Sequence, residues 1–92
     1  MKDDRKLTDL VSVGPATLAD FRELGITKVS QLRGRNAEKL YSQLCAVTGM
    51  THDICALDVF RAAIEQANNP NLPPEKCQWF YWSRVRKGEI TE

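Results

Sequence analysis

Apolar residues recur along this chain at three- and four-residue spacing and nowhere in a sustained alternation, so the pattern predicts helices and no strands. Leu7, Leu10 and Val11 predict a short helix over about Lys6–Val11. Ser12-Val13-Gly14 interrupts it. Pro15 then suits the first position of a second helix, where its missing N–H is no loss and its φ is already helical. Leu18, Phe21 and Leu24 carry this helix to Gly25, a residue fitted to a left-handed C-terminal cap closed by Ile26. Thr27 reads as the N-cap of a third short helix over Lys28–Leu32, which Arg33-Gly34-Arg35 breaks.

Asn36 caps a fourth helix bearing Leu40, Leu44 and Val47, and Gly49 ends it. A fifth starts at Thr51 or Asp53, with Ile54, Leu57, Ile64 and Ala67 as a core stripe that Phe60 and Ala63 widen. Asn68-Asn69-Pro70-Asn71 stops it. After Leu72-Pro73-Pro74 the run Gln78-Trp79-Phe80-Tyr81-Trp82 leads into Ser83-Arg84-Val85-Arg86-Lys87, either a short helix from near Pro74 or an extended strap. The expected fold is all-α, a compact bundle of about five short helices with an aromatic, basic C-terminal tail. It forms one domain over residues 1–92, with its core over about 6–68 and its tail over 72–92.

Composition narrows the class. With 92 residues, 42% hydrophobic and 27% charged, the chain can bury one modest core and lies outside the disordered range. No apolar run is long enough for a membrane span, and Met1 to Lys6 is charged without a following apolar stretch, unlike a secretory signal. The three cysteines are odd in number, so reduced thiols and a cytoplasmic location are expected, with no membrane partner. A net charge of +1 argues against nucleic-acid binding over the whole surface and leaves only a local patch.

That patch has one candidate. A tight turn feeding a helix start leaves backbone N–H groups pointing outward, and with the helix dipole they suit a phosphate. Gly14 has no Cβ to keep a phosphate backbone away. The amides of Val13, Gly14, Ala16 and Thr17, with the Thr17 hydroxyl, are the expected contacts. Lys6, Arg22, Lys28, Arg33 and Arg35 are candidate flanking cations. Asp20 and Glu23 oppose them further along the same helix. Such contacts read no base sequence.

The stretch Leu7-Thr8-Asp9-Leu10-Val11-Ser12-Val13-Gly14-Pro15-Ala16-Thr17-Leu18-Ala19 resembles the helix-hairpin-helix motif of DNA repair and processing proteins. Val13 matches that motif's buried hydrophobic residue and Gly14 its second glycine. Ser12 stands in place of the first glycine, and Ala16 where a basic residue often reaches a phosphate. The resemblance implies an N-terminal helix-hairpin-helix in a SAM-like bundle and weak duplex DNA binding without sequence preference.

More of the chain is similar to one small bacterial family. The resemblance is carried by Leu24-Gly25-Ile26-Thr27, Gln31-Leu32-Arg33-Gly34 and Leu40-Tyr41-Ser42-Gln43-Leu44-Cys45. It continues through His52-Asp53-Ile54-Cys55-Ala56-Leu57-Asp58-Val59-Phe60-Arg61-Ala62-Ala63. The family is the helix-hairpin-helix pathogenicity locus family, whose members are often labelled mitomycin-resistance proteins. Membership implies association with DNA through the hairpin.

Four other constellations carry chemistry. Cys45, His52, Cys55 and Cys77 offer a four-ligand zinc set, set against buried thiols at helix ends, since no pair has a standard zinc spacing. His52 beside Asp53 lacks a second positioned group, so no enzyme and no cofactor are expected; the pair reads as the first turn of the fifth helix. Asp58 and Arg61 read as an intrahelical pair, or as part of a buried bridge holding the tail. Trp79, Phe80, Tyr81 and Trp82 read first as packing, then as a contact for a larger protein partner, then as bases' stacking partners. The function expected is a non-catalytic module for duplex DNA, with a protein–protein adaptor using the aromatic tail or the hairpin face as the alternative.

Overall fold

The computed structural model describes residues 3–92, and every regular element among them is helical. Four α-helices, α1 (Pro15–Glu23), α2 (Ala37–Thr48), α3 (Cys55–Asn68) and α4 (Trp79–Arg86), are linked through 3-10 turns at Leu7–Asp9, Val29–Leu32 and Pro74–Cys77. The first and third helices expected from the apolar spacing are therefore single 3-10 turns. The left-handed Ser12 cuts the first short, and the third lies between Gly25 and Gly34, too close together for an α-helix to repay its nucleation. Side chains close the turns instead. The Asp9 carboxylate accepts from the Lys6 amide at 2.8 Å, and Gln31 Oε1 accepts from the amides of Thr27 and Lys28 at 2.6 and 2.9 Å.

Helix ends follow the local chemistry. Pro15 opens α1, and Gly25 follows it at φ 73°. Asn36 Oδ1 accepts from the Lys39 amide at 3.1 Å to cap α2, and Gly49 terminates it at φ 70°. The last long helix begins at Cys55 rather than at Thr51 or Asp53. The Asp53 carboxylate accepts the Cys55 amide at 2.9 Å and so remains outside the helix.

Phe21 of α1 and Phe60 of α3 stack with ring centroids 5.3 Å apart at the centre of the core. Around them are buried Leu7, Leu10, Ile26, Val29, Leu32, Leu40, Leu44, Ala63, Ile64 and Ala67. The 3-10 turns at Leu7–Asp9 and Val29–Leu32 thus contribute apolar side chains to the interior. Two expected core residues face solvent, Val47 at 58% exposure and Ile54 at 43%. They flank the corner between α2 and α3, where solvent replaces a facing helix.

The tail is helical rather than an extended strap, but α4 begins at Trp79, after a 3-10 turn at Pro74–Cys77, and not near Pro74. Trp82 and Ser83 face inward, and α4 packs along α3. The intrahelical Asp58–Arg61 pair does not form. Asp58 is fully buried and receives two parallel bonds from Arg86 of α4, both 2.9 Å. A carboxylate with no solvent needs a bidentate guanidinium, which a neighbour on its own helix does not supply here. Arg61 instead lies 4.4 Å over the Trp82 ring and pairs with Glu65 and Glu92 at 2.9 and 2.6 Å.

Candidate nucleic-acid interface

The hairpin between the first 3-10 turn and α1 is shaped by three residues, and the most constrained of them is Ser12. Ser12 has φ 73°, the left-handed region that a side chain with Cβ adopts at a cost. Its hydroxyl accepts from the Trp79 amide at 3.1 Å and donates to the Cys77 carbonyl at 3.3 Å. The strain at position 12 is thereby offset by two bonds to the tail, one of which satisfies the first amide of α4. A serine in place of the motif's first glycine is the sequence signal for this tie.

Gln66 of α3 holds the other side of the turn. Its Oε1 accepts from the Val11 amide and its Nε2 donates to the Val11 carbonyl, both at 2.9 Å. The signal here was a polar residue spaced at four-residue steps from Asp58 and Ala62 on the buried side of α3.

The third residue, Gly14, caps α1 at φ −107° and ψ −174°, extended backbone that any residue adopts. A Cβ built on Gly14 would meet nothing within 4 Å. The turn's own geometry therefore does not require a glycine there. Its lack of a side chain leaves the space before the α1 N-terminus clear. Among the described residues, the amides of Gly14, Ala16 and Thr17 meet no protein acceptor, whereas the Val13 amide bonds to the Leu10 carbonyl at 3.3 Å. Of the four amides expected to face a phosphate, three are free.

The flanking cations divide into two groups. Lys6 and Arg22 line one shallow groove of about 350 Å³ together with Leu7, Thr8, Leu18, Ile26 and Thr27. Lys28 is exposed just beyond Thr27. Arg33 is engaged elsewhere, donating to Asp3 at 2.8 Å and to the Ala67 carbonyl at 3.1 Å. Arg35 lines a separate cleft of about 290 Å³ with Arg61, Glu38 and Glu65. Asp20 lies half-turned from the Leu18–Arg22 edge of α1, and partial burial pushes its carboxyl above the ordinary range.

Arg5 and Asp3 complete the Arg33 tie. Arg5 donates to Asp3 and to the Gln66 and Ala67 carbonyls at 2.8, 2.8 and 3.4 Å, so two guanidiniums cover the negative end of α3. The Arg5 hydrogen bonds hold the Asp3 carboxyl far below the usual carboxylate range, with Arg33 adding to the effect.

The zinc set is not brought together. Among the described residues, no three His, Cys, Asp or Glu side chains converge as metal ligands, and all three cysteines are free thiols. His52 Nε2 lies 2.8 Å from Thr48 Oγ1, and the Tyr41 hydroxyl donates to the His52 carbonyl. The Asp53 carboxylate beside Cys55 pushes that thiol up from 9.0, and burial does the same at Cys77. No described helix is long and apolar enough to cross a membrane.

Similarity to known proteins extends along nearly the whole chain. Residues 2–88 match the family Cdd1, described as Pathogenicity locus. A mitomycin resistance protein McrB from Streptomyces lavendulae is 35% identical over 85 residues, covering 92% of this chain and 77% of that protein. No solved structure matches the chain.

Proposed function

We propose that this chain, which belongs to the pathogenicity locus family, is a non-catalytic cytoplasmic module that binds duplex DNA weakly and without sequence preference. Its contact is the hairpin, read as a helix-hairpin-helix. The observation that carries the reading is Gly14. The fold makes no demand for glycine at that position, and an approaching phosphate backbone does. The free amides of Gly14, Ala16 and Thr17 and the positive end of α1 would hold the phosphate. Lys6 and Arg22 would take the neighbouring phosphates from their shared groove, with Lys28 beside it. Contacts of this kind position the protein on DNA and leave base edges unread. On this reading, the resistance named for the Streptomyces relative would rest on the DNA contact.

Gly14→Ala tests it. The added methyl enters open space at a permissive φ, so folding stability should change by no more than about 1 kcal/mol. Binding to a blunt duplex, measured by fluorescence anisotropy at low salt, should fall several-fold and should fall again on Lys6→Ala or Arg22→Ala. Amide shifts on titration should centre on Gly14 to Leu18. If the duplex leaves those amides unmoved at low salt, the reading fails. Capture of a protein partner that depends on the hairpin or the aromatic tail, without DNA binding, would favour the adaptor alternative.

A further inference from the structure

The hairpin does not stand alone on its side of the molecule. The Ser12 hydroxyl fixes the first amide of α4, and Ser12 precedes Gly14 by two residues, which is at most ~7 Å of backbone. The first two side chains of α4 are Trp79 and Phe80, set edge to face with centroids 6.1 Å apart. They are 36% and 54% exposed, while Trp82 on the same helix is buried. Packing therefore accounts for Trp82, whereas about a third of Trp79 and half of Phe80 remain open to solvent.

The segment that carries them is basic. Lys76, Arg84, Arg86 and Lys87 lie between positions 76 and 88, a stretch with no acidic residue, in a chain whose net charge is only +1. Arg86 is committed to Asp58, but Arg84 and Lys87 follow Phe80 at four and seven residues and share its exposed face. Glu89 is held beside Arg84, its amide donating to the Arg84 carbonyl at 2.9 Å and its carboxylate 3.6 Å from the guanidinium. It offsets part of that charge and leaves Lys87 unopposed. An exposed ring in line with cations, Phe80 with Arg84 and Lys87, suits a base and its phosphodiester, and Trp79 borders it on the adjoining face of α4.

We infer that Trp79 and Phe80 form a stacking platform for an unpaired nucleobase, so that the preferred ligand is DNA with a single-stranded segment beside a duplex. The inference rests on the hairpin reading for where the duplex lies. A phosphate on the Gly14 and Ala16 amides would deliver the adjoining unpaired base to the indole. Arg84 and Lys87 would follow the strand onward along α4.

The test compares a blunt duplex with the same duplex carrying an oligothymidine overhang, each titrated into the full chain at low salt. The overhang should bind on the order of tenfold more tightly. It should also shield the exposed Trp79 indole from acrylamide quenching, which the blunt duplex should not do. Trp79→Ala/Phe80→Ala should remove the gain and leave blunt-duplex affinity unchanged. Phe80→Leu, which keeps an apolar side chain of moderate size, should lose part of the gain and guards against a folding defect in the double variant. Equal affinities, an unshielded Trp79, or a variant that weakens both ligands alike would overturn the platform. Shielding of Trp79 by self-association of the chain would overturn it as well. If the overhang alone binds and Gly14→Ala has no effect, the hairpin reading falls and the platform stands; if neither DNA binds, both fall.

Discussion

Gln66 hydrogen-bonds both backbone groups of Val11, accepting from its N–H and donating to its C=O at 2.9 Å each. One side chain on α3 thereby takes the place of a backbone partner for the residue that opens the hairpin turn. The same Nε2 also donates to the Ala62 carbonyl at 3.1 Å.

Gln66→Leu keeps the volume and removes these bonds. Val11 is partly open to water, which softens the loss, so destabilisation of about 1–3 kcal/mol is expected in urea unfolding. Hydrogen exchange at the Val11 amide should accelerate more than at amides of α2.

Replacing Ser12 separates strain from bonding. Ser12→Ala keeps Cβ at φ 73° and loses both bonds to the tail, whereas Ser12→Gly loses the bonds and relieves the strain. Ser12→Gly should therefore be about 1–2 kcal/mol more stable than Ser12→Ala, by thermal or chemical unfolding. Equal stabilities would show that the left-handed backbone is not a burden at this position.

The buried bridge between α3 and α4 should respond asymmetrically. Arg86→Met leaves the fully buried Asp58 carboxylate without its partner, a change that costs about 3–5 kcal/mol. Asp58→Asn should be milder, because Arg86 is partly exposed and can turn to water. Chemical unfolding of both single variants and the double variant measures the difference and the coupling.

Acid should loosen the N-terminal tie. Asp3 is held below its ordinary 3.8 by Arg5 and Arg33, so its contribution is complete above that value and is lost as pH falls through and below it. The Tm difference between the parent chain and Asp3→Asn should be constant above about pH 5 and narrow below about pH 4. A difference that stays flat down to pH 2 would show that the tie does not depend on the charge of Asp3.

Much of the fold was legible along the chain because helix ends are local events. Pro15, Gly25, Asn36, Gly49 and Asn68 mark boundaries through backbone conformation and caps formed within a few residues. The apolar spacing likewise placed Phe21, Leu40, Leu44, Phe60 and Ile64 in one core. Where it overreached, at the 3-10 turns of Leu7–Asp9 and Val29–Leu32 and at Val47 and Ile54, spacing alone could not report element length or the absence of a facing helix. The turn before α1 was legible for the same local reason, marked by Pro15.

Tertiary structure decided which polar groups meet. The ties Asp58–Arg86, Val11–Gln66 and Ser12–Trp79 join residues 28, 55 and 67 positions apart. It also sorted the cations, leaving Lys6 and Arg22 in one groove while Arg33 covers the end of α3. Charge and hydrogen-bonding capacity are written in the sequence, but a partner is chosen by proximity and burial. Those exist only after the apolar faces have packed, so the chain by itself determined its helices and its turn, and the packed fold determined what the turn presents.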